Sequence, residues 1–175
     1  VNMPLSGGQW VGEFPTSERL ADLVQPFRDN VSRFIGALEA GGASVRVSAT
    51  LRPPERAYLM HYSWRISREN LDAARVPEMA GVDIQWAHKT PGATRVAAGD
   101  MVRGYGTVFR PSLTSRHTEG RAVDMTVTNY LGKSFADASG NAVTVSKETE
   151  LFALGGSYGV LKLRSDPPHW SDDGH

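Results

Sequence analysis

The sequence predicts an α+β domain, and three patterns predict it. Apolar residues recur at three- and four-residue steps through Leu20, Leu23, Val24, Phe27, Val31, Phe34, Ile35 and Leu38, the mark of a one-sided amphipathic helix. Two stretches, residues 44–50 and 120–128, alternate side to side as strands do. No internal repeat or linker interrupts the 175 residues, a length that suits one domain with a real core, so residues 1–175 read as a single domain.

Taken in order, residues 1–18 form an irregular lead-in rich in Gly and Pro, with Trp10 and Phe14 available to pin it to the body. Thr16-Ser17-Glu18-Arg19 offers a capping signal for the helix that runs from Leu20. Pro26 either falls within its first turns or marks its true start. Gly41-Gly42 ends it. After the first strand, Arg52-Pro53-Pro54 forces a stop. Pro54 then opens a second helix carrying Ala57, Tyr58, Met60, His61 and Trp64. A further helical piece is expected around residues 69–74. Residues 75–112 show no sustained period and read as loops and short elements. In the second strand Ala122, Asp124 and Thr126 share one face. Ser146 is expected to cap a short helix with Glu148 and Glu150 in its first turn, closed by Gly155-Gly156. Residues 159–163 read as a last strand.

Composition removes several functional classes. Nineteen basic and nineteen acidic side chains cancel, so no global field favours nucleic acid. The apolar runs fall far short of membrane-spanning length. With no cysteine there is no disulfide, no thiolate nucleophile and no cysteine-rich zinc site, and any metal must be held by nitrogen and oxygen. The first eight residues lack the charged and apolar regions of a signal peptide. The Val1 start is expected to reflect processing or excision from a longer polypeptide.

The chemistry concentrates in two segments. Ser115-Arg116-His117-Thr118-Glu119-Gly120-Arg121-Ala122-Val123-Asp124 sets an imidazole and a carboxylate on either side of a glycine. Gly120 can adopt a turn conformation closed to other residues, so the chain can double back and bring His117 to Asp124. The small Ala122 on the strand face of Asp124 leaves room for an ion. Asp166-Pro167-Pro168-His169-Trp170 supplies a second imidazole and a second carboxylate. Its prolines favour polyproline II, whose three-residue repeat would project Asp166 and His169 from the same side. His117, Asp124 and His169 are thus the candidate ligands of a catalytic Zn2+, with Asp166 as the base, a combination that points to a hydrolase. His61, His88 and His175 read instead as surface or internally satisfied residues.

Ser115 to Asp124 resembles the first motif of the zinc D-Ala-D-Ala carboxypeptidase superfamily, S-x-H-x-x-G-x-A-x-D, at every specified position. That superfamily also includes the amino-terminal hedgehog signalling domain and phage endolysins that cut peptidoglycan stem peptides. The resemblance implies the hedgehog/DD-peptidase fold, a small antiparallel sheet with helices packed on one face, and His117, Asp124 and His169 as zinc ligands. Dipeptidases and carboxypeptidases of the superfamily carry Glu three residues before the last ligand, whereas L-alanyl-D-glutamate endopeptidases carry Asp, as here at Asp166. An endopeptidase acting on the stem peptide is therefore the leading expectation. A D,D-carboxypeptidase or dipeptidase, or a non-catalytic zinc-binding module of the same fold, is the alternative. Ser171 departs from the Glu common after the Trp. Ser48-Ala49-Thr50-Leu51-Arg52 resembles the family's Ser-x-x-Arg stretch with one extra residue. Arg52 is thereby implied as a catalytic or substrate-anchoring residue, and Ser115 as a substrate-binding one. The expected partner is the peptidoglycan stem peptide, with no nucleic acid or membrane. The expected place of action is the bacterial cell wall or periplasm. Export would be by phage lysis, by a secretion machine or as part of a longer delivery polypeptide. An interbacterial toxin would bring an immunity protein.

Overall fold

Among the described residues, four α-helices, a four-stranded antiparallel sheet and a two-stranded antiparallel hairpin make up an α+β fold. The computed structural model describes residues 2–175. Its backbone gathers into two compact units, one running to Pro15 and resuming over Pro53–Ser115, the other formed by Thr16–Arg52 and Arg116–His175. Each unit is built from two separate stretches of chain, so no linker marks them in the sequence.

The second unit holds the sheet. Helix α1 (Phe27–Ala40) leads into β1 (Ser44–Ala49); β2 is Ala122–Thr128, and the hairpin is β3 (Lys133–Ala136) with β4 (Ala142–Val145). Helix α4 (Glu148–Ser157), β5 (Leu161–Lys162) and β6 (His169–Ser171) complete it, with sheet order β1-β2-β6-β5. One sheet face is apolar. Val123, Met125 and Trp170 pack there with Phe27, Val31, Phe34 and Leu38 of α1 and Leu151 and Leu154 of α4. Phe34 meets Trp170 edge-on at 5.4 Å and stacks on Tyr158 at 5.7 Å. Because side chains alternate along a strand, Asp124 and His169 take the opposite face.

The first unit is helical. Helix α2 (Pro54–Glu69) and helix α3 (Pro91–Tyr105) pack together, and a short 3-10 turn at Gly8–Gly12 lies on α3. Trp10 and Phe14 join a core of Tyr58, Leu59, Tyr62, Ile66, Trp86 and Met101, pinning the lead-in as expected. Gly104 is required for that approach, since a Cβ there would sit 2.6 Å from a Val11 methyl.

Several boundaries differ from the sequence reading. Leu20–Asp22 is a 3-10 turn, and α1 proper begins at Phe27 with Pro26 at its N-cap. The piece expected near 69–74 is the end of α2, closed by left-handed Asn70, followed by a 3-10 turn at Ala73–Arg75. Residues 75–112 contain the whole of α3. Its buried face is made of small residues, Ala97, Ala98 and Gly99 beside Met101 and Val102, so little apolar bulk betrays its period. Ser146 does not cap α4; Lys147 occupies the N-cap with no side-chain hydrogen bond. Gly155 and Gly156 do not end that helix but lie within it. Gly155 is a packing residue, because a Cβ there would fall 2.6 Å from the Trp170 ring.

Candidate metal centre

Strand register creates the first two members of the site. In the β2–β6 pair Ala122 faces Ser171, Val123 faces Trp170 and Asp124 faces His169. Directly opposed residues of an antiparallel pair hold their Cβ atoms about 4.5–5.5 Å apart, so Asp124 and His169 meet without help from any loop. The Met125 amide adds a hydrogen bond to the Pro168 carbonyl at 2.8 Å.

The third member comes from a turn. The Arg121 amide donates to the Arg116 carbonyl at 2.8 Å and wraps the chain around His117. Gly120 makes this wrap possible. Its φ is +71°, and a Cβ would lie 3.2–3.3 Å from Val24 and the Asp22 carbonyl. The Gly120 carbonyl accepts from the Val24 amide at 3.0 Å, locking the turn. The glycine turn read from the motif is therefore present and doubly required.

A β-bulge aligns the other side. Pairing of β1 with β2 shifts by one residue between Val47 and Ala49, and the extra Ser48 hydroxyl donates to the Asp124 carbonyl at 3.3 Å. A bulge turns the chain that follows. Here it carries Thr50 and Arg52 to His117: the Arg52 amide donates to the His117 carbonyl at 2.9 Å, and His117 Nδ1 lies 2.7 Å from the Thr50 carbonyl. Thr50 is itself clamped, its amide on the Ser17 carbonyl at 2.7 Å and its hydroxyl on the Arg19 carbonyl at 2.9 Å.

The hydrogen bonds settle which ring nitrogens face inward. Carbonyls only accept, so His117 Nδ1 carries a proton for Thr50 and His169 Nε2 carries one for the His175 carbonyl at 2.9 Å. The remaining nitrogens, His117 Nε2 and His169 Nδ1, both face Asp124 Oδ1, at 3.0 and 3.2 Å. These lone-pair atoms repel unless a proton or a metal ion lies among them. All three ligand atoms lie within 4.8 Å of one another, and His117 and His169 are buried. Atoms coordinated tetrahedrally at ~2.0–2.2 Å would be spaced by roughly 3.3–3.6 Å, a few tenths of an ångström beyond the two separations found. The donor set therefore fits a metal ion, and both imidazoles are oriented by carbonyls as metal-bound histidines are.

Burial pushes the Asp124 carboxyl up, but hydrogen bonds and charge from His117 and His169 outweigh it and hold the carboxyl far below its ordinary range. Burial pushes His169 down, but its bonds to Asp124 and to the His175 carbonyl, with the charges of Asp124 and Asp166, raise it above the usual imidazole value.

The other expected site residues fall as follows. Asp166 is exposed and outside the three-ligand cluster, though its charge reaches the His169 ring. The segment it begins is not polyproline II. The His169 amide closes back onto the Asp166 carbonyl at 3.0 Å, forming a turn over the two prolines. Arg52 is half-buried with its backbone bound to His117, and Ser115 is half-buried two residues before that ligand. His61 and His88 are satisfied internally, by the Pro111 carbonyl at 2.7 Å and by Ser6 at 3.0 Å, in keeping with their reading as internally satisfied residues.

Sequence reasoning missed the supports. Buried Ser171 accepts from the Gly174 amide at 2.8 Å and donates to Asp173 at 3.2 Å, shaping the turn that presents the His175 carbonyl to His169. Arg116 pairs with Glu119 at 2.9 Å and with Asp173, bracing the His117 turn against that second turn. Only the Ser and Asp of Ser171-Asp172-Asp173-Gly174, ordinary turn formers, could have signalled this. No helix among the described residues is long and apolar enough to cross a membrane. No protein-family model matches this chain, and no curated protein matches it.

Proposed function

We propose that this chain is a zinc-dependent peptidase of the hedgehog/DD-peptidase fold that hydrolyses an amide bond of the peptidoglycan stem peptide, with the L-Ala-D-Glu endopeptidase reaction preferred. The observation that carries the reading is the convergence of His117 Nε2, Asp124 Oδ1 and His169 Nδ1, each imidazole fixed by a main-chain carbonyl on its far side. Two His and one carboxylate with a fourth position open is the donor set of catalytic zinc. The motif S-x-H-x-x-G-x-A-x-D supports the family, and Asp at position 166 supports the endopeptidase branch.

Zinc held there would supply a Lewis acid that polarises the scissile carbonyl and activates water near neutral pH. In this proposal the chain's own groups do the rest. Asp166, beside His169, takes a proton from the attacking water and passes it to the departing amine. Arg52, whose backbone is tied to His117, steadies the developing oxyanion or a substrate carboxylate with its guanidinium. Ser115 positions the peptide. Such an enzyme works in the cell wall or periplasm and reaches it through phage lysis, a secretion machine or a longer delivery polypeptide. An immunity protein would accompany a toxin used between bacteria.

Digestion of purified peptidoglycan, with mass analysis of fragments and a chelator control, tests the reading. Loss of whole stem peptides below L-Ala, abolished by the chelator and restored by zinc, is expected. Release of terminal D-Ala would move the assignment to a carboxypeptidase. Intact glycopeptides under all conditions would leave a non-catalytic metal module.

A further inference from the structure

The loop between β5 and β6 is organised around one ammonium group. Lys162, the last residue of β5, pairs with Trp170 in the sheet and turns its side chain back under residues 163–169. Its Nζ donates to three main-chain carbonyls: Leu163 at 2.5 Å, Asp166 at 2.5 Å and His169 at 3.1 Å. Each of these carbonyls also accepts one backbone amide. Leu163 receives the Asp166 amide at 3.2 Å, Asp166 receives the His169 amide at 3.0 Å, and His169 receives the Leu163 amide at 3.0 Å. A carbonyl has two acceptor lone pairs and an ammonium three donors, so this arrangement satisfies all of them. Phe152 and Trp170 flank the charge, each ring centre 5.8 Å away.

We infer that Lys162 is a positioning residue of the metal centre, its ammonium seated on three carbonyls so as to set the turn that carries both Asp166 and His169. The inference rests on the metal reading given above. It follows from connectivity. The carbonyls held at either end belong to Asp166 and His169 themselves, and the prolines between them have no amide with which to hold the turn. Without the ammonium, three carbonyls lose a partner and the turn keeps only its backbone bonds. Arginine is no substitute, because a planar guanidinium cannot direct three hydrogens at carbonyls arranged around a point.

Titration of Co2+ into the apo protein tests this, with wild type, Lys162→Met and Lys162→Arg compared by affinity and by visible absorption of the bound ion. Both variants are expected to bind Co2+ roughly 10–100-fold more weakly, the range typical when a support of a metal ligand is removed. Their absorption bands should shift as His169 loses its fixed orientation. A folded Lys162→Met with wild-type affinity and spectrum overturns the inference. Failure of the wild type to bind Co2+ at all overturns the metal reading and this inference with it, and is told apart because it precedes any variant. Should Lys162→Met not fold, the wild type still decides. NMR of the Nζ–H3 group should show couplings across hydrogen bonds to the Leu163, Asp166 and His169 carbonyl carbons. An ammonium in fast exchange with solvent and without those couplings contradicts the proposal.

Discussion

Asp124 and His169 face each other directly across the β2–β6 pair, with His169 Nδ1 3.2 Å from Asp124 Oδ1. Two of the three candidate ligands are therefore placed by backbone register. Slipping β6 by one residue would send His169 to the helix-packed face and bring Trp170 to the site. The third candidate ligand, His117, depends on a turn and on the bulge that brings the Thr50 carbonyl behind it.

Gly120 is the weak point of that turn. Gly120→Ala should lower stability by about 1–3 kcal/mol, the cost of a side chain at φ +71°, with further strain from contacts at 3.2–3.3 Å. Urea unfolding of the apo protein measures it, and an unchanged midpoint would show that the turn tolerates a Cβ.

As the proposed base, Asp166 offers a way to separate chemistry from metal binding. Because it lies outside the ligand cluster, Asp166→Asn should keep zinc while turnover falls at least about 100-fold, the lower range of general acid–base contributions. Zinc content and peptide release are measured on the same sample. Undiminished turnover would remove Asp166 as the base.

Much of the centre was readable from the sequence because its ligands sit in short motifs with a glycine or prolines at fixed offsets. The supports were not. Thr50 and His175 act through main-chain carbonyls, which any residue possesses, so their identity carries no signal. Lys162 is, in the sequence, one charged residue within the stretch 159–163 that reads as a strand, with nothing to mark the carbonyls it meets. In the fold, α3 escaped notice because its buried face is Ala and Gly, although Thr90 caps it and Pro91 opens it as expected of a helix start. The β3–β4 hairpin was also unread. Phe135 and Val145 are its buried anchors, in strands of four residues each, too short for an alternation to stand out.

The pH dependence has a definite sign. The Asp124 carboxyl is held low in the folded state, so its contribution to apo stability is present above about pH 4 and lost as the pH falls further. His169 is raised, so its contribution is complete below about pH 6.5 and lost as the pH rises through its folded value. A metal ion needs that same imidazole deprotonated. The stability gap between zinc-loaded and apo protein should therefore widen from pH 5 to pH 8. Paired urea titrations across this range check it, and a constant gap would mean that zinc does not displace the His169 proton.

The most direct test of the central claim is metal analysis of the purified protein dialysed against zinc, beside His117→Ala and His169→Ala. One zinc per wild-type chain is predicted, with neither variant retaining a full equivalent. Wild-type protein that holds no zinc, or alanine variants that hold as much as wild type, would contradict it.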